Sequence, residues 1–146
     1  MKRIGFFLGL LLICSVCITS WAQADAQARL RIIGASNSGA AIDPALRDVH
    51  NQLGSLFSFT SYRLLRDEVF NLSLNRPITI PVHPGRSIAV ELVGQKRNLA
   101  EFRVRVIREG ADILNTVVRL GPGRTILIGG PKHGEGVVIL ALSAHF

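Results

Sequence analysis

From Thr60 to the end of the chain, apolar and polar residues alternate with a period of two, and this alternation limits the fold more than any other feature of the sequence. Successive side chains of a strand point to opposite sides, so such a run buries one face and wets the other. Phe70, Leu72 and Leu74 alternate with Asn71 and Ser73, Ile78, Ile80 and Val82 with Thr79 and Pro81, and Ile88, Val90 and Leu92 with Ala89 and Glu91. Further on, Phe102, Val104 and Val106 run against Glu101, Arg103 and Arg105, and Leu114, Thr116, Val118 and Leu120 against Asn115, Val117 and Arg119. Turn formers at Asn75-Arg76-Pro77, His83-Pro84-Gly85, Glu109-Gly110 and Gly121-Pro122-Gly123 divide these runs. Their spacing, about 10 residues, is that of a meander, sandwich or small barrel. Pro81 has no N–H for a ladder, which places its strand at an edge. Val137 to Ala144 is apolar on both faces and belongs in the middle of a sheet.

Upstream of Thr60 the pattern differs. Residues 28–35 (ARLRIIGA) read as a strand, followed by the turn-forming Ser36-Asn37-Ser38-Gly39. Asp43 then Pro44 make an N-cap and a first helical position, and Leu46, Val49, Leu53 and Leu56 follow at helical spacing. The expectation is a helix over 44–58, weakened at Gly54 by roughly 1 kcal/mol and held by its docked face. The fold class is therefore α+β, with one amphipathic helix packed on a mostly antiparallel β-sheet or sandwich. No repeat, low-complexity tract or second linker interrupts it. The balance of the 146 residues, 48% of them apolar, excludes a collagen-like, coiled-coil or fully disordered chain.

The first 24 residues are of another kind. Met1-Lys2-Arg3 precedes a mostly apolar run from Ile4 to Ile18, and polar Thr19 and Ser20 lead to Ala22-Gln23-Ala24. Charge, then a short apolar core, then small residues is the order of a secretory signal peptide, with cleavage after Ala24. A core of roughly 15 residues falls short of the ~20 that a spanning helix needs. Cys14 follows Ile13 and Cys17 follows Val16, where a lipidation site wants a small residue. The expectation is a signal peptide at 1–24 and a single β-rich exported domain at 25–146, periplasmic or secreted. That domain holds neither cysteine, so it has no disulfide, thiol nucleophile or cysteine metal site. Its 13 Arg and 2 Lys stand against 10 Asp and Glu, a formal +5 where the whole chain has +7.

That excess of arginine is the main candidate chemistry. Arg103, Arg105 and Arg119 share a solvent face of neighbouring strands, which reads as an anion-binding stripe for nucleic acid, lipid A phosphate or an acidic glycan. Glu91 and Glu101 on the same strands are the competing partners, because cross-strand pairing favours opposite charges. Export removes the domain from cytoplasmic nucleic acid, and only Tyr62 and five Phe remain to stack on bases, so no nucleic-acid partner is expected. His50, His83, His133 and His145 lack metal-ligand spacing; His133 with Glu135 comes nearest. The glycines at 121, 123, 129 and 130 precede no Gly-Lys-Ser/Thr, and no G-x-S-x-G occurs. No cofactor, metal or catalytic residue is assigned, and the chain is not expected to be an enzyme.

Asn115 to Gly130, NTVVRLGPGRTILIGG, resembles a β-hairpin of the secretins, the outer-membrane channels of bacterial secretion systems. The matching positions are Thr116, Val118, Gly123, Thr125, Ile128, Gly129 and Gly130. The likeness spans 16 residues, and channel function is not carried over. TSYRLL at 60–65, LNTVVRL at 114–120, ILIGGP at 126–131 and GVVILALSA at 136–144 are together similar to a group of small exported bacterial proteins, a resemblance that implies export and assigns no activity. The expected role is a non-catalytic exported interaction or assembly module of the cell envelope, whose partner is an envelope protein taken up by strand addition at the edge near Pro81. Membrane contact is compatible with that role, without a transmembrane helix after residue 24. The alternatives are an exported enzyme, an anion- or glycan-binding domain, and a small outer-membrane β-barrel. The last is prompted by the alternation of Val138, Leu140, Leu142, Ala144 and Phe146 up to the final aromatic residue.

Overall fold

The computed structural model describes residues 25–146 except Pro84, and the side chain of His83 is likewise outside the description. The signal peptide expected at 1–24, with its cleavage after Ala24, lies outside the described residues. Eight strands follow in order: β1 (Asp25–Ser36), β2 (Ser61–Ser73), β3 (Ile78–His83), β4 (Arg86–Lys96), β5 (Leu99–Arg108), β6 (Ala111–Leu120), β7 (Thr125–His133) and β8 (Gly136–His145). They form two four-stranded antiparallel sheets, ordered β2-β1-β8-β7 and β3-β4-β5-β6. The strands thus pair as two ladders and not as one ring.

Alternation explains the packing between the ladders. Ala28, Leu30 and Ile32 of β1 and Leu140 and Leu142 of β8 meet Ile88, Val90 and Leu92 of β4 and Phe102, Val104 and Val106 of β5 in one buried cluster. Phe102 is its largest fully enclosed side chain. Each such residue contributes roughly 1.5–3 kcal/mol by leaving water, so a slip of one residue would turn a whole strand's contribution outward. β3 is an edge, as Pro81 requires, and β8 is internal with residues 138–142 buried on both sides. Arg66 of β2 crosses to the other sheet and donates to the Pro81 carbonyl, joining the two ladders along that side.

The segment 115–130 does not make the expected hairpin. Its two strands, β6 and β7, stand in different sheets and share no ladder. The turn between them passes from one layer to the other.

The helix is also shorter than expected. In place of 44–58 there is a single 3-10 turn, Pro44–Leu46, and a seven-residue helix α1 (His50–Leu56). Asp43 does act as the cap, accepting from Ala45 N–H at 3.0 Å, but its second carboxylate oxygen also accepts from Leu64 N–H of β2 at 3.2 Å. Between the two helical pieces Val49 leaves the helical region at φ −111° and ψ 1°. That break sets Asp48 against β1, where it receives two hydrogen bonds from Arg31, at 2.8 and 2.9 Å. Leu46, Val49 and Leu53 join a second buried cluster with Ile33, Tyr62 and Ile139, on the side of the β2-β1-β8-β7 sheet away from the first cluster. The architecture is therefore a β-rich two-sheet structure with one short helix, in which helix is not a layer of its own.

Gly54 faces solvent in α1, and a methyl group there would meet nothing within 4 Å. Gly54→Ala is expected to raise stability by up to about 1 kcal/mol, read as a higher urea midpoint at unchanged slope.

Candidate functional site

The predicted stripe lies where the alternation puts it, but its charges are already matched. Arg103 stands 3.8 Å from Glu91, Arg105 stands 3.6 Å from Asp112, and Arg119 donates to Glu101 at 2.7 Å. Arg103 and Arg105 share the outer face of β5, and Arg119 sits opposite Glu101 on β6. Each guanidinium on this face has a carboxylate neighbour. Such exposed pairs add little stability, yet they leave little field for an outside anion. Tyr62 is only 2% exposed; its hydroxyl donates to the Phe57 carbonyl at 3.3 Å and its ring meets Phe59 edge-on at 6.5 Å, so it offers no stacking surface.

Three of the cations without such neighbours among the described residues line one recess at one end of the sandwich. In an antiparallel series the turns between β3 and β4, β5 and β6, and β7 and β8 fall at the same end. All three are two-residue hairpins, closed by the pairs His83 with Arg86, Arg108 with Ala111, and His133 with Gly136. Glu109 and Gly110 both take positive φ, 52° and 79°, the pattern of a type I′ turn that matches strand twist. Gly85 and Gly134 supply the positive φ of the other two turns, 78° and 58°.

The three turns are tied together. Glu109 N–H donates to the Gly85 carbonyl at 2.8 Å, and Arg86 Nη1 donates to the Lys132 carbonyl at 3.1 Å, across the gap between the sheets. They enclose an open recess of about 350 Å³, lined by Arg86, Arg108, Lys132, His133 and Glu109 with the turn glycines. Arg86 and Arg108 are directly opposed on β4 and β5. Like charges in that register repel. Among the described residues no carboxylate lies within 4 Å of Arg86, Arg108 or Lys132, and the other acid at this end, Glu135, accepts from Ser38 Oγ at 3.3 Å. A further recess of about 510 Å³ includes Lys96 and Arg119, the second already paired with Glu101.

Of the histidines, His50 opens α1, His83 and His133 end β3 and β7 beside the hairpin turns, and His145 ends β8. Among the described residues no three His, Cys, Asp or Glu side chains are grouped as metal ligands, and no helix is long and apolar enough to cross a membrane. At the edges, β3 is six residues long, Pro81 has no N–H to offer and its carbonyl is taken by Arg66. The ten-residue edge β6 has no proline and exposes Ile113 and Val117 at 43% and 48%.

Sequence reasoning missed the hairpin recess because its cations lie 22 and 24 positions apart. The available signal was that Arg86, Arg108 and Lys132 each stand within one residue of a turn, and that alternate turns of a meander share an end. Comparison with protein-family models, with curated proteins and with solved structures finds no match to this chain.

Proposed function

We propose that this chain is a non-catalytic, exported binding module of the cell envelope and that the hairpin end is its binding end. The observation that carries this reading is the recess itself, where three short turns tied by main-chain acceptors hold Arg86, Arg108 and Lys132 around one opening, none of the three having an ion-pair partner among the described residues. A site fixed before the ligand arrives loses little freedom on binding. The export half of the proposal rests on the order of charge, apolar core and small residues in 1–24.

Beyond residue 24 the only lysines are Lys96 and Lys132, which end β4 and flank the β7–β8 turn at opposite ends of the sandwich. The α-amine of a product beginning at Asp25 lies with the start of β1 beside the end of β8, away from Lys132, so an amine-reactive cross-linker reports which end is engaged. The expected result is a periplasmic or secreted product beginning at Asp25, with cross-links to envelope components through Lys132 and few through Lys96. A full-length cytoplasmic product, or cross-links through Lys96 alone, would sink the reading.

Strand addition by an envelope protein is the second reading, and β6 now serves it better than the edge near Pro81. Its backbone has no proline, and Ile113 and Val117 are exposed beside it. Under that reading Val117→Glu abolishes cross-linking while substitution at Lys132 leaves partner recovery unchanged.

A further inference from the structure

We infer that the recess at the hairpin end takes a phosphate dianion, either free or as the terminal phosphomonoester of a larger molecule; the inference rests on the binding-end reading above and names its ligand. Three cations, Arg86, Arg108 and Lys132, against one carboxylate, Glu109, give these four lining side chains an excess of two positive charges. A phosphomonoester carries about −1.5 to −2 near pH 7 and so balances it, whereas a carboxylate or a phosphodiester supplies one charge.

Geometry favours the same chemistry. Arg86 and Arg108 stand side by side on adjacent strands, and guanidinium groups so placed offer forked donors to two oxygens of one group. Their opposition is unfavourable in the empty protein and is relieved when an anion sits between them. Arg86 is also half-buried and held at the Lys132 carbonyl, so one of the donors is already oriented. Arg47, Arg63, Arg76, Arg97 and Arg124 likewise have no carboxylate within 4 Å among the described residues, but none of them lines this recess.

The test is titration of the purified protein with inorganic phosphate, followed by backbone amide NMR shifts, with lipid vesicles as a second arm. Saturable shifts are expected at Gly85, Glu109 and Gly134, and Arg108→Gln with Lys132→Gln weakens phosphate about tenfold or more. The paired variants Arg103→Gln and Arg105→Gln leave affinity within about twofold, because those cations already have partners. Vesicles of phosphatidylcholine carrying phosphatidic acid present the monoester on a membrane; the same vesicles carrying phosphatidylglycerol present only a diester. Binding to phosphatidic acid that free phosphate competes away assigns the bare group, and binding that it does not displace assigns the headgroup. Absence of saturable shifts with both phosphate and phosphatidic acid overturns the inference, as does equal binding to both vesicle types. If polygalacturonate or sulfate saturates the recess and depends on Arg108 and Lys132 while phosphate does not, the phosphate assignment falls and the binding end stands.

Discussion

Replacing Gly136 with alanine is expected to cost about 3 kcal/mol or more, enough to deplete the folded state of a domain this size. A Cβ at that position would lie 1.9 Å from the Ala35 carbonyl oxygen and 2.9 Å from its carbon. Both atoms are main chain on β1, and β1 and β8 are the two central strands of their sheet, so neither can withdraw without opening the ladder. Gly121→Ala is the matched control: its Cβ would meet neighbours at 3.5 and 3.6 Å, ordinary contact distances. Urea denaturation of the two variants should show a large fall in midpoint for the first and little change for the second. Similar midpoints for both would mean that the β7–β8 turn is free to shift, and the recess beside it with it.

The second large effect concerns the pair beneath the helical segment. The Arg31 side chain is 3% exposed and the Asp48 side chain 58%, so the two halves of one ion pair have unequal roles. Asp48→Ala strands a buried guanidinium whose Nε already has no hydrogen-bond partner. The expected loss is about 2 to 3 kcal/mol, below that of a wholly enclosed pair because water reaches the carboxylate side. Arg31→Met removes the charge together with its need for a partner and is expected to cost less. The opposite ranking would show that Arg31 reaches solvent.

Acid titration gives an independent check. The hydrogen bonds from Arg31 hold the Asp48 carboxyl below its ordinary value of 3.8, and those from Arg29 do the same for Asp67. For a carboxyl depressed in the folded state, the stability gained is fully present above the unfolded value and is lost as pH falls through the folded one. The protein should therefore lose stability progressively from about pH 4 downward. Asp48→Asn should flatten that slope while leaving the part due to Asp67.

The strands were legible because alternation is a local signal. The run Phe102 to Val106 is enclosed by β5, and the doubly apolar 137–144 falls inside β8. Arg31 was not legible: within ARLRIIGA it occupies the polar phase, which ordinarily means solvent, and nothing nearby in sequence indicates that Asp48 folds over it. The same contact accounts for the missed helix length, since periodicity registers Leu46, Val49 and Leu53 but not the turn at 47–49 that faces Asp48 toward β1. Arg103 and Arg105 lie on the outer face of β5, where the partner of Arg103 follows from its cross-strand register with Glu91, while Asp112 reaches Arg105 only through the bulge between Val106 and Ile107. Which unmatched cations come together is a question of which turns share an end, and that is set by topology.

Two ties among the three hairpins use the N–H of Glu109 and the carbonyls of Gly85 and Lys132, with Arg86 contributing its side chain to the second. Positions 108, 109 and 132 can thus change identity without loosening the frame that presents them. A lineage of such domains is free to exchange its fingertips and acquire new tastes while inheriting the same hand.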